Sequence, residues 1–249
     1  MTFSPTALLR RHVWMNTIEL VRLPMYVVPT FAFPVLLFTF FGLPYAGNTE
    51  AARLLMSSYA AYGVLGVTLF QFGVRIAAER DTSWERFLRV LPVSFAMRLL
   101  ARVLAALVFA LAVAAVVILT AALLTKPNLN VALLARLFPA LLVGAVPFAL
   151  LGITIGYWTE RRAAIPVANL VYLPLSLGGG LWMPPAFLPK LIAAISPFLP
   201  TRHYAEVVWA AANGTPVPVI SCVWLLGFTA VFGVTAVLGY RRDESRRYR

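Results

Sequence analysis

The chain has 249 residues, 61% of them hydrophobic and 12% charged, with a formal net charge of +12 and a mean hydropathy of +0.84. That much apolar surface exceeds what a water-soluble core hides, so the solvent of this protein is mainly lipid. The positive charge does not indicate nucleic acid, because the arginines punctuate long apolar runs instead of covering a solvated domain, and one cysteine, Cys222, with two histidines, His12 and His203, excludes an intrachain disulfide and argues against a Cys/His metal cluster.

The first element in chain order is an N-terminal leader, residues 1–23. Leu8, Leu9, Trp14, Ile18 and Val21 alternate there with Arg10, Arg11, Asn16 and Glu19 in a helical rhythm, which predicts an amphipathic helix on the cytoplasmic membrane surface. An extension of the first membrane helix into water is the alternative. The apolar run from Tyr26 is longer than the core of a cleavable signal peptide and reads as a retained span.

A charge at the centre of a spanning helix costs about 2.5–3.5 kcal/mol, so charge-free stretches of about 20 residues mark the crossings. Six such stretches follow: Leu23 to Thr49, Leu54 to Val74, Val103 to Thr125, Leu137 to Thr159, Ala163 to Pro189 and Val207 to Tyr240. If they alternate sides, sixteen of the twenty-one basic residues fall on one side and only Arg53, Lys126, Arg136, Lys190 and Arg202 on the other. The richer side, which holds both termini, is predicted to be cytoplasmic. Pro29, Pro34, Pro147, Pro166 and Pro174 lie within the stretches and predict kinked, tightly bundled helices; Gly152 and Gly156 predict close helix approach.

Two segments carry more than a crossing requires. The cytoplasmic link 78–94 reads AERDTSWERFLRVLPVS, with Trp84, Phe87, Leu88 and Leu91 along one helical face before Pro92. A short amphipathic helix of this kind is shaped to sit in a groove of a soluble partner, or to rest its aromatic residues at the lipid headgroups. At the end of the fifth stretch and beyond it, Gly178-Gly179-Gly180 leads into Trp182, Met183, Pro184 and Pro185, then Phe187, Phe198, Pro200, His203 and Tyr204. So many helix breakers in an apolar run predict two short helices dipping back into the outer leaflet over residues 182–206, or else a helix-breaking cap on the bundle.

Glu79-Arg80, Trp84, Arg86, Leu88-Arg89 and Pro92 resemble the E-R-x-x-G-W-x-R-x-L-R-x-x-P pattern of type-2 ABC exporter permeases at seven of its eight fixed positions, with Ser83 in place of the glycine. The run Ser196 to Ala205 is similar to the "sPf-lPt-hya" signature of the same family. The resemblance implies an all-α membrane protein of six transmembrane helices, with an N-terminal amphipathic helix and a re-entrant extracellular hairpin between spans five and six. It implies a coupling helix in which Glu79, Arg80, Trp84, Glu85, Arg86, Leu88, Arg89 and Pro92 engage an ATPase. It also implies an extracellular gate, to which we assign Trp182, Met183, Pro184, Phe187, Phe198 and Tyr204, with an interfacial aromatic belt as the alternative role for the aromatic ones. A homodimer in the bacterial plasma (inner) membrane follows from the same source.

What is missing narrows the function. Lys126 and Lys190, the only lysines, are not preceded by glycine, so there is no G-x-x-x-x-G-K-[ST] phosphate-binding loop. ATP and Mg would be bound by a separate ATPase subunit, and no cofactor is expected in this chain. The apolar stretches lack the ionisable residues that an ion-coupled carrier places in the membrane, although Gln71 and Asn169 offer neutral oxygens. Serines such as Ser57, Ser176 and Ser221 have no histidine or aspartate partner visible from position, which argues against an intramembrane hydrolase. The expected function is export of a hydrophobic or amphipathic drug, antibiotic or lipid; an ion-coupled transporter or a non-transporting anchor of a signalling complex is the alternative.

Overall fold

The computed structural model describes residues 5–80, 82 and 95–247, and among these it is helical without strands. The elements are α1 (Pro5–Val21), α2 (Pro24–Leu37), continued by a π turn (Phe38–Gly42) and a 3-10 turn (Leu43–Tyr45), and α3 (Thr49–Glu79). Next come α4 (Phe95–Leu124), α5 (Val131–Gly144), α6 (Val146–Trp158) and α7 (Ala164–Gly178). The last are α8 (Lys190–Ile195), flanked by single 3-10 turns, then α9 (Pro200–Asn213) and α10 (Val219–Arg247).

The centre of the bundle is α3, which packs against α2, α4, α6, α7 and α9. Its start is fixed by Asn48, whose side chain accepts the Ala51 amide at 2.8 Å, with Glu50 in the first turn where the helix dipole favours a carboxylate. Helices in lipid gain little from hiding apolar surface, so they associate through close packing, and small residues let them approach. Ala52, Ala60, Ala61, Gly63, Gly66 and Gly73 supply that on α3. The expected small-residue contact of α6 is made here: a methyl group on Gly152 would come within 3.0 Å of the Leu69 carbonyl, and one on Gly156 within 2.8 Å of Ile76 Cβ. The buried serine and threonine hydroxyls of α3 stay satisfied within the helix, as Ser58 does by donating to the Leu54 carbonyl.

α4 shows why one helix has two kinds of face. Ala101, Ala105, Ala110, Ala114 and Ala121 are buried, whereas Val108, Leu119 and Leu123 project outward, the pattern of a helix between protein and lipid. The stretch 131–158 is one crossing broken at Ala145, where Pro147 has no amide to donate; Gly144 sits under the ring of Tyr204.

Among the described residues, five segments are long and apolar enough to cross a membrane: Pro24–Tyr45, Thr49–Glu79, Leu100–Leu124, Val131–Trp158 and Val219–Ser245. The fifth of the six charge-free stretches behaves differently. Its helix, α7, has only 15 residues and ends at Gly178 because the following chain turns through Gly180 at φ +80°, a conformation open mainly to glycine. The leader is helical over Pro5–Val21 and packs along α4, with Leu20 buried and Trp14 exposed.

Candidate functional site

Three features bear on function, two of them at the arginine-rich end. α3 ends there with Glu79 and Arg80, the first two residues of the exporter-like pattern, and the two side chains diverge. Glu79 Oε2 accepts from Arg102 Nη2 of α4 at 2.6 Å, and its other oxygen accepts from Arg75 Nε at 2.5 Å. Arg75 also binds Glu19 of α1 at 2.7 Å, so one carboxylate ties together the ends of α1, α3 and α4. Arg80 turns the opposite way. Its guanidinium donates to the carbonyls of Gly156 at 3.2 Å, Tyr157 at 2.6 Å and Thr159 at 3.0 Å, and lies 3.9 Å from Asp243 of α10. The last carbonyls of a helix have no partner within it and carry the negative end of its dipole, so a half-buried guanidinium is a strong cap for α6.

Of the residues expected to engage an ATPase, Glu79 and Arg80 are described, and both point into the bundle. Trp84, Glu85, Arg86, Leu88, Arg89 and Pro92 lie outside the described residues.

The second feature is a cavity of about 730 Å³ between the end of α1, α2, α3 and α7. Its wall is mostly apolar, formed by residues such as Met25, Phe33, Phe70 and Leu173, and a few polar groups converge on it: Tyr26, Gln71, Asn169 and the Glu19–Arg75–Glu79 cluster. A large greasy pocket with a small polar end suits an amphipathic guest. Pro34, Gly63 and Gly66 shape its side, and the Tyr62 and Tyr172 rings, stacked 4.7 Å apart, form part of the wall. Nothing in the local sequence announces this space, because its walls come from segments far apart in the chain. Gln71 and Asn169, the two neutral polar side chains noted within the apolar stretches, both face it.

The third feature lies at the opposite end, where the chain after α7 folds over the bundle. The Trp182 carbonyl accepts from Tyr59 Oη of α3 at 2.5 Å, and its indole meets Tyr62 edge-on at 5.9 Å. Ser196 donates to the Gly178 carbonyl at 2.6 Å and Thr201 to that of Leu175 at 2.5 Å, which pins the α8–α9 segment to the broken end of α7. Of the residues expected at a gate, Trp182, Met183 and Pro184 are half-buried, whereas Phe187 and Phe198 are exposed, Phe187 beside Tyr45 at 5.3 Å. Tyr204 has a different setting. It is fully buried against Gly144 and Phe148, and its hydroxyl donates to the Leu141 carbonyl at 2.9 Å, so within this chain it packs α9 onto α5.

The structure also joins residues that sequence spacing does not connect. His203 and Ser221, on either side of the turn at Gly214, meet beside Glu206: Nδ1 is 3.4 Å from Ser221 Oγ, which lies 2.5 Å from Glu206 Oε2. An ionised carboxylate only accepts, so the serine proton points to Glu206 and not to the imidazole. This is not the order in which a histidine would activate a serine. Among the described residues no group of His, Cys, Asp and Glu is arranged to hold a metal.

Comparison with known proteins agrees with this architecture. The family model described as "ABC-2 type transporter" matches residues 7–212. The chain is also 27% identical over 196 residues, 78% of this chain and 79% of the relative, to the protein named "Putative transport permease YvfS" of Bacillus subtilis (strain 168). The matched region runs from the leader to the end of α9 and includes the charged end of α3, the cavity and the α8–α9 segment, so this chain belongs to the ABC-2 type transporter family, as a multi-pass membrane permease.

Proposed function

We propose that the chain is the membrane subunit of an ABC exporter, moving a hydrophobic or amphipathic drug, antibiotic or lipid out of the cytoplasm or inner leaflet of the bacterial plasma membrane. The work is done as a homodimer with two copies of a separate ATPase that binds ATP and Mg. The observation that carries this reading is the cavity: a mostly apolar space whose polar end is built from Arg75 and Glu79, at the end of α3 from which the 78–94 segment departs.

In this reading both termini are cytoplasmic, and α7 is the fifth of six crossings. At a rise of about 1.5 Å per residue it spans roughly 22 Å of a core about 30 Å thick, and the apolar α8–α9 pair re-enters the outer leaflet to fill the remainder. When ATP draws the ATPases together, the helix within 78–94 moves with them. Glu79 transmits that movement to α4 and, through Arg75, to α1, while Arg80 transmits it to α6. The walls of the cavity therefore shift against one another, and Trp182, Met183, Pro184, Phe187 and Phe198 control the outer exit.

One observation favours a second reading, an ion-coupled carrier: Gln71 and Asn169 both face the cavity and offer neutral oxygens to an ion. The test that separates the two is ATP hydrolysis by the complex reconstituted in lipid vesicles. Vanadate-sensitive hydrolysis stimulated by an amphipathic drug or lipid is the expected result. Substrate movement that follows an ion gradient and is indifferent to ATP and vanadate would favour the carrier.

A further inference from the structure

The helix α9 is joined to its neighbours by a continuous row of polar and aromatic contacts. On α10, Trp224 stacks on the His203 ring with centroids 5.3 Å apart and planes 7° from parallel. His203 faces Ser221, Ser221 binds Glu206, and Glu206 accepts from Arg202 Nε at 2.8 Å. The Arg202 guanidinium lies 5.4 Å over the ring of Trp209, whose indole N–H donates to Ser58 Oγ of α3 at 2.6 Å. The row therefore runs from α10 through α9 to α3, and His203 is its one group that titrates near neutral pH.

Its seat fits a neutral ring. Because Ser221 gives its proton to Glu206, the serine oxygen is free to accept from Nδ1–H, which leaves Nε2 as the unprotonated nitrogen. Nε2 is buried without a hydrogen-bond partner, and His203 as a whole is 5% exposed. A second proton would have to enter at that position and place a cation in a buried seat. The charged groups acting on the ring are Glu206 and Arg202, both on α9; α10 brings Ser221 and Trp224, the turn before α9 brings the Pro197 carbonyl, and no charge from α3, α5 or α7 acts on it among the described residues. The attraction of Glu206 is shared with Arg202 and Ser221.

We propose that His203 is a proton-binding site and that its protonation releases α9 from α10, so that acid on the face bearing α8 and α9 loosens this end of the bundle. Burial lowers the pKa of His203 below the ordinary imidazole value, Glu206 and the Pro197 carbonyl oppose that change, and Arg202 adds to it. A lowered histidine pKa means that the contact is intact above the usual value of about 6.5 and is lost as the pH falls through and below it. That this face meets the outer compartment rests on the exporter reading; the proton site itself does not.

The test is made on the full chain in nanodiscs of phosphatidylethanolamine and phosphatidylglycerol, without nucleotide or substrate, so its failure would leave the transport reading standing. Release parts the indole of Trp224 from the imidazole. The Trp224 emission, taken as wild type minus Trp224→Phe, should therefore change in intensity and wavelength on acidification, with a midpoint below about 6.5. Over the same range the unfolding midpoint of the wild type should fall by about 2–4 °C more than that of His203→Asn, in which the side-chain amide replaces the Nδ1 donor but does not titrate. Identical pH responses in wild type and His203→Asn would overturn the proposal. Should His203→Asn not fold, a Trp224 signal that is flat with pH would overturn it alone.

Discussion

Arg80 and Glu79 are neighbours in the chain, yet their side chains are bound to different parts of the bundle: the Arg80 guanidinium caps α6, and the Glu79 carboxylate is held by Arg102 of α4. The point at which α3 leaves for the 78–94 segment is therefore tied to the ends of several helices at once. A pull on that segment is distributed instead of being absorbed by one helix.

Arg80→Ala should lower the stability of the purified chain by about 2–3 kcal/mol, the order expected for losing hydrogen bonds from a half-buried charged donor. The loss is measured as a fall in the denaturant or thermal unfolding midpoint. Arg80→Lys keeps the charge but not the planar fork, so it should recover only part of the loss.

The contact of α6 with α3 tolerates no added atoms. Gly156→Val should cost about 1–3 kcal/mol, because its Cβ would fall 2.8 Å from Ile76 Cβ and 2.9 Å from the Gly73 carbonyl. Gly227→Ala is the contrasting case: nothing lies within 4 Å of the added methyl group, and alanine is the better helix former by about 0.5–1 kcal/mol. The same unfolding assay should show a clear loss for the first and none for the second.

Tyr204 and the exposed phenylalanines should separate stability from transport. Tyr204→Phe removes the buried hydrogen bond to the Leu141 carbonyl and should cost about 1 kcal/mol with little change in substrate-stimulated ATP hydrolysis. Phe187→Ala and Phe198→Ala should do the reverse, with an unchanged unfolding midpoint and altered stimulation.

Filling the cavity tests its role. Asn169→Trp adds a large ring to the wall, where Asn169 makes only a local hydrogen bond to the Ile165 carbonyl at 3.2 Å. The variant should retain the ATPase subunit and its basal hydrolysis while losing stimulation by amphipathic compounds. Undiminished stimulation would place the guest elsewhere.

The parts legible in the sequence are those governed by local physics. Five of the six charge-free stretches form helices long enough to cross, because the cost of charge in lipid leaves a one-dimensional record. Gly178-Gly179-Gly180 marks the end of α7 for an equally local reason. The destination of a side chain is not local: Arg80 reads as a surface cation available to a partner, and only the placement of the α6 carbonyls beside it shows where it is bound. Tyr204 reads as one of several outer aromatics, and the Gly144 that accepts its ring is sixty residues away. His203 and Ser221 look unrelated until the Gly214 turn brings α9 alongside α10.

The central claim is that this permease is driven by a separate ATPase docked on residues 78–94. Its most direct test is co-purification of the chain with the ABC ATPase, comparing the wild type with the double variant Trp84→Ala/Arg86→Ala at matched membrane expression. The account predicts that the wild type retains the ATPase and that the variant loses it while folding normally. Full retention of the ATPase by the variant would contradict it.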